Sequence, residues 1–298
     1  MEGAKVLLDC RNVVGESAVW SAEERSLYWV DIVGGRIHRF EPETETHESW
    51  SAPELPTSIG LRRDGGFVVG LRRRVALWSK GGGFETLAVP EPDLPNNRLN
   101  EGVVAPDGSF WVGTMRDNIG PDGRPVPVTE PSGALYRVES DGSVVRLTEH
   151  RFGITNTMVW LSDSGFVTAD TSENALYRFD YDTATRKLRN RQPFGPRVER
   201  GLPDGSAQSA AGSVYNCRVA GGASIAVIEP GAEDKVRYID LPCNSPTSCV
   251  FGGPDYRTLY VTSARFGMDP DALRANPVEG ALMSVSVDEA GAPCALFG

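Results

Sequence analysis

Histidine is scarce in this chain: three of 298 residues, at positions 38, 47 and 150. Cysteine is little commoner, with five residues, an odd number, and no Cys-x-x-Cys pair. A zinc site built on His and Cys spacing is therefore not expected. Free buried thiols in a reducing compartment are the expected state. No apolar run approaches the ~18 residues of a membrane helix, and helical periodicity is confined to a short stretch near Pro270–Asn276. The first residues carry no basic head, no long apolar run and no small-residue cleavage site, so no secretory signal is expected and the location is read as cytoplasmic. Positive charge is also short, with 30 Lys and Arg against 40 Asp and Glu and a net charge of −10. Nucleic acid and anionic membrane surfaces are thus disfavoured as partners. There is no Gly-x-Ser-x-Gly elbow, no Gly-x-x-x-x-Gly-Lys phosphate loop and no Gly-x-Gly-x-x-Gly after a strand. Serine hydrolases, nucleotide hydrolases and dinucleotide enzymes are disfavoured accordingly.

What the chain does have is turns and short strands. Thirty-three glycines and 21 prolines are spread along it. Between them lie β-branched and aromatic runs of strand length. One unit recurs as Leu27-Tyr-Trp-Val-Asp31, Phe67-Val-Val-Gly70, Phe110-Trp-Val-Gly-Thr114, Phe166-Val-Thr-Ala-Asp170, Val214-Tyr-Asn-Cys217 and Leu259-Tyr-Val-Thr262. A second follows each of them, as in Arg36-Ile-His-Arg-Phe40 and Ala134-Leu-Tyr-Arg-Val138. The six copies stand roughly 40–55 residues apart, the period of a β-propeller with about four strands per blade. The fold class is therefore all-β: a six-bladed β-propeller of four antiparallel strands per blade, residues 1–298 forming a single domain. Residues 5–10 are expected to pair with the last blade and close the ring. Trp20, Trp29, Trp111 and Trp160 are expected to pack between strands.

The runs preceding the first unit should be the innermost strands, which line the channel. Aligned on Trp20, Leu61, Val104, Trp160, Gln208 and Phe251, they carry Glu16, Thr57, Asn100, Asn156, Asp204 and Thr247 four residues earlier. Equivalent positions in six blades lie on a ring about one axis. This ring holds two carboxylates, two carboxamides and two hydroxyls, the donors that a hard divalent cation needs. Calcium, magnesium or manganese suit it best, and zinc is compatible through its carboxylates. The three histidines fall outside the ring. Asp170 is read as part of a strand-end turn, and Arg72-Arg-Arg74 as a solvated face. Arg116–Ser132 is long for a connection within a blade and is expected to cover the site, with Arg265–Val278 a second candidate at the rim.

Gly15-Glu-Ser-Ala-Val-Trp20 with Leu27-Tyr-Trp-Val-Asp-Ile32 resembles the opening of the SMP-30/gluconolactonase/regucalcin-like family. Asn97-Arg-Leu-Asn-Glu-Gly102, Ile154-Thr-Asn156, Leu202-Pro-Asp-Gly205 and Phe251-Gly-Gly-Pro-Asp255 are similar in turn, so the resemblance covers nearly the whole chain. It implies a six-bladed propeller with one divalent metal in the channel, and hydrolysis of a sugar lactone to its aldonic acid. Carried over residue by residue, the metal ligands are Glu16, Asn156 and Asp204, all of them ring positions. Arg98, Asn100 and Glu130 are the implied substrate contacts, Glu130 by a shifted alignment. Asp204 is also the implied general base, with water activated by the metal as the alternative. The family often has Asn-Gly where this chain has Asn156-Thr157, and Asn-Asp where it has Asn100-Glu101, so the pocket wall is expected to differ. Two other functions are compatible with such a site: a broad metal-dependent esterase or organophosphatase, and a non-catalytic calcium-binding propeller.

Overall fold

The computed structural model describes residues 3–162 and 164–298. Its strands form six four-stranded antiparallel sheets. In chain order they span residues 15–51, 56–88, 97–146, 155–193, 202–240 and 246–286, the last completed by Lys5–Leu8. We number them blades 1 to 6. The innermost strands are Gly15–Ser21, Pro56–Leu61, Asn97–Val104, Thr155–Trp160, Leu202–Gln208 and Pro246–Gly252. Each touches the next and the sixth meets the first, so the sheets form a closed six-bladed propeller. Lys5 pairs with Ser284 and Val6 with Met283, which ties the start of the chain to its last blade as expected. The expected short helix is present at Pro270–Ala275, with the Asp269 side chain accepting from the Ala272 amide as its cap. Among the described residues, no helix is long and apolar enough to cross a membrane.

The repeat is visible in the sequence because burial falls from the axis outward. The second strand of each blade is covered on both faces: Leu27, Tyr28, Trp29 and Val30 are all fully buried. Such strands read as unbroken apolar runs. The outermost strand of blade 1, Thr46–Ser51, is largely exposed and polar and carries no comparable signal. Facing blades join through mixed clusters such as Tyr28, Ile37, Ile59, Phe67 and Trp78 between blades 1 and 2. The tryptophans pack as expected. Trp20 stacks on Tyr260 across blades 1 and 6 at 5.3 Å, and Trp111 meets Trp160 edge-on across blades 3 and 4 at 5.0 Å.

Every innermost strand is irregular at one place. Its ladder with the second strand slips between Glu16 and Val19, Pro56 and Ser58, Leu99 and Gly102, Asn156 and Met158, Pro203 and Ser206, or Pro246 and Cys249. Each slip falls at the ring position. A bulge puts extra residues against the partner strand, bends the chain and re-aims a side chain. Two bulges place non-glycine residues in the left-handed region, Ser17 at φ 54° and Thr157 at φ 57°. For a β-branched residue this costs on the order of 1–3 kcal/mol. The Thr157 hydroxyl offsets that cost by donating to the Asp204 carbonyl and meeting Ser206 Oγ at 2.8 Å. Threonine at this position therefore clamps blade 4 to the blade that carries Asp204.

Candidate active site

Five of the six ring positions, Glu16, Asn100, Asn156, Asp204 and Thr247, line one cavity of about 230 Å³. Thr57 departs from the expected ring. Its hydroxyl turns toward Gly70, where a Cβ would lie 2.9 Å from it, and it does not line the cavity. The cavity occupies the end of the channel where the innermost strands begin and the second strands finish, since Val14, Ile32, Ile154 and Ala264 also line it.

Glu16 and Asp204 are 8% and 7% exposed, and both line the cavity. Burial lifts both well above the ordinary carboxylate range. The charge of Asp204 raises Glu16 further, and that of Glu101 raises both. Glu101, whose part the sequence left open, is thus a third member of the group. Burial pushes it up to about 7, although the amides of Gly102 and Thr157 donate to it and pull the other way. Carboxyl groups so arranged either retain protons or share a cation.

The donor set fits a hard divalent ion. It consists of oxygen atoms alone, two of them on buried acids. Among the described residues, no three His, Cys, Asp or Glu side chains are grouped to hold a metal. The Asn156 carboxamide lines the same cavity and adds a neutral oxygen beside the acids. Its Nδ2 donates to Thr171 Oγ1 at 2.8 Å, and that hydroxyl donates to the Pro203 carbonyl at 2.7 Å. Asn156 Oδ1 accepts from Asn100 Nδ2 at 3.2 Å, which leaves one of its two lone pairs for a ligand. Thr247 lines the cavity, but its hydroxyl is already engaged with the Gly15 carbonyl and Thr262. Asp170 accepts from the amides of Gly153, Ile154 and Ser172, the strand-end role expected of it.

Arg98 is 5% exposed and lines the cavity beside the acids. Its Nη1 donates to the Leu99 carbonyl at 2.9 Å and to Asn100 Oδ1 at 2.7 Å. Its Nε and Nη2 both reach Asn118 Oδ1, at 3.2 and 2.8 Å. Four of the five guanidinium N–H groups are thereby used, and one is left for a ligand. Burial lowers its pKa to about 10, so it remains charged at neutral pH. Asn100 is similarly committed, its Nδ2 donating to the Thr155 carbonyl at 2.8 Å.

Glu130 is not part of this site. Its side chain is 61% exposed, pairs with Arg116 at 2.6 Å and does not line the cavity. The long loop instead delivers Asn118 and Ile119, two residues that sequence reasoning did not single out. Arg72 corrects another expectation. It is not a freely solvated charge but pins this loop, pairing with Asp117 at 2.6 Å and donating to the Ile119 carbonyl at 3.3 Å. From the second candidate segment, Phe266 lines the cavity.

A closed six-bladed propeller with two buried acids in a pocket at one end of its channel defines a class of protein. Residues 14–265 match the SMP-30/Gluconolactonase/LRE-like region, and the chain belongs to that family. It is 35% identical over 276 residues to regucalcin of Xenopus laevis, covering 92% of this chain and 90% of that one. It is 32% identical over 302 residues to a 6-deoxy-6-sulfogluconolactonase of Pseudomonas putida, covering 99% of each. The crystal structure of a calcium-binding protein, regucalcin, from Agrobacterium tumefaciens has the same fold, with a TM-score of 0.89 at 24% identity over 100% of this chain and 97% of that one.

Proposed function

We propose that this chain is a divalent-metal-dependent sugar lactonase, which adds water to the carbonyl of an aldonolactone and breaks the ring C–O bond to give the aldonic acid. The observation that carries this reading is the buried Glu16–Asp204 pair beside the Asn156 carboxamide, at the bottom of a cavity open to a small molecule. Its family membership and a relative named as a lactonase support it. Glu16, Asp204 and Asn156 would hold the metal, which when bound supplies Lewis-acid polarisation of the lactone carbonyl. Asp204, once ionised, would be the group to take a proton from the attacking water, with water activated by the metal as the alternative. The remaining N–H of Arg98 is available to the carboxylate as it forms. A panel of aldono-1,4- and 1,5-lactones, assayed by acid release with calcium, magnesium, manganese or zinc after chelation, tests the reading. We expect at least one lactone to open well above its spontaneous rate with metal. No acceleration of any lactone with any metal would sink it.

Asn118 supplies a second test. It holds two N–H groups of a buried cation, and hydrogen bonds to charged groups contribute about 1.5–3 kcal/mol each. Asn118→Ala is expected to lower kcat/KM about tenfold or more with metal affinity nearly unchanged, read by steady-state kinetics and metal titration. Unchanged kinetics would show that Arg98 keeps its place without the loop.

A further inference from the structure

Hydrogen-bonding groups are spread unevenly around the mouth of the cavity. Blades 3 and 6 face each other across the ring, and each sends a polar residue to the mouth: Arg98 two residues before Asn100, and Ser245 two residues before Thr247. On the blade 3 side the groups left over are donors. Arg98 keeps one N–H, and Asn118 beside it keeps its Nδ2, since its Oδ1 alone is spent. The opposite wall runs from blade 5 through blade 6 to blade 1 and is lined by Val219, Ala220, Ala264, Phe266, Val14 and Ile32. Above the floor, Ser245 is the sole hydrogen-bonding side chain on that wall among the described residues.

The Ser245 backbone is tied down. Its carbonyl accepts from the Ala264 amide at 3.0 Å. The preceding residue, Asn244, donates its amide to Glu279 Oε1 at 2.6 Å, and its carbonyl accepts from the amides of Gly221 and Ala223 at 3.0 and 3.3 Å. Glu279 is fully buried and is held in turn by Asn276 Nδ2 at 2.9 Å. The side chain of Ser245 is treated differently. The residue is 6% exposed and lines the cavity, yet its hydroxyl has no hydrogen-bond partner among the described residues. A buried hydroxyl left without a partner costs free energy, so its partner must come from what occupies the cavity.

Resting on the lactonase reading above, we infer that Ser245 is a specificity-determining residue, whose hydroxyl bonds one particular hydroxyl of the sugar lactone on the edge turned away from Arg98. A lactone with its carbonyl at the floor turns one edge to blade 3 and the other to blade 6. The N–H groups on the blade 3 side suit the lactone oxygens and the carboxylate as it forms. A serine hydroxyl both donates and accepts, as a sugar hydroxyl does. The side chains around Ser245 return no hydrogen bond, so a further hydroxyl directed at them gives up water without replacement. The substrate is therefore an aldonolactone with a single hydroxyl on that edge, told from its deoxy analogue by one contact.

The experiment combines Ser245→Ala with lactones that each lack one hydroxyl. The best-accepted aldonolactone and its monodeoxy analogues are assayed with the metal-loaded parent and variant. We expect the parent to favour the full lactone over one analogue by about tenfold or more, because that analogue leaves the serine unpaired. Ser245→Ala should lower kcat/KM on the full lactone by about threefold to tenfold. It should also erase the preference over that one analogue and keep the preferences over the others. Such a result is a coupling between two hydroxyls, which a merely structural role does not produce. Metal affinity, read by titration, should stay nearly unchanged. Preferences all kept in Ser245→Ala, losses spread evenly over every lactone, or a collapse of metal affinity would overturn the inference. If the parent hydrolyses no lactone, the lactonase reading falls, and thermal stabilisation of both metal-loaded proteins by the same compounds reads the contact without turnover. Discrimination against one analogue that disappears in Ser245→Ala then upholds the contact. Equal discrimination by both proteins, or no stabilisation by any compound, overturns it.

Discussion

Asp204→Asn is expected to lower kcat/KM on a sugar lactone by about 1,000-fold or more, while the metal-free protein becomes no less stable than the parent. The two effects have one cause. Asp204 is buried close enough to Glu16 for their charges to oppose each other, and within the field of Glu101. Without a cation, this crowding opposes folding. The amide has the same shape and no charge, so it relieves the repulsion and leaves the packing intact. With a cation, the same substitution would, on the proposed lactonase reading, remove one of two anionic donors and the base. Loss of a base alone is worth about 100- to 10,000-fold. Metal affinity should fall by at least about 100-fold, more than for loss of a residue that merely orients a ligand. Kinetics, metal titration and calorimetry of both proteins, with and without metal, provide the check. An Asp204→Asn protein that keeps its activity, or is stabilised by metal as strongly as the parent, would refute the assignment.

Chelation of the parent protein should abolish activity and make its stability fall as pH rises. An unfolded Glu or Asp titrates near 4.5 or 3.8, whereas Glu16, Asp204 and Glu101 are all raised in the folded chain, Glu101 to about 7. Above the unfolded values the native state then binds more protons than the unfolded state, so stability falls as pH rises. The chelated protein should therefore lose stability as pH rises from about 5, the Glu101 share of the loss levelling off once its folded value of about 7 is passed. A bound cation keeps its ligands ionised and flattens this slope. Metal at 100 times its Kd contributes about 2.7 kcal/mol, a rise in Tm of about 4 °C for a chain of this size. That increment should grow with pH as protons cease to compete. Scanning calorimetry with chelator and with each metal at pH 5, 6, 7 and 8 would show it. A chelated protein that gains stability over this range would show that the three acids are not held as described.

The architecture was legible in the sequence because each blade repeats one pattern of burial. Runs such as Leu27-Tyr-Trp-Val30 and Phe110-Trp-Val112 are covered on both faces, and their six recurrences set the blade count. The register of the ring followed, because every innermost strand enters the channel from the same end. A fixed offset from an apolar residue therefore leads to Glu16, Asn100, Asn156 and Asp204 from the sequence alone. The same offset misplaced Thr57, since it assumes that six bulges aim six side chains alike. A bulge carries no reliable sequence mark when Ser17 and Thr157, rather than glycines, take the left-handed conformation.

Only the tertiary structure decided the rest. Asn118 reaches Arg98 because Arg72 of blade 2 pins Asp117, a contact between residues 45 positions apart that local pattern cannot encode. The same tether brings Ile119 to the mouth, while Glu130 is left at the surface beside Arg116. The part of Glu101 could not be read from its type or spacing. Its pKa depends on how much water the closed ring excludes, and that is settled by the meeting of blades 3 and 4 around the Thr157 amide. Sequence periodicity determines which residues share a level of the channel, because strands repeat every two residues and blades repeat as units. Which of those residues point inward, what the loops bring to them and how their charges are tuned depend on distances across the ring, which exist only once it has closed.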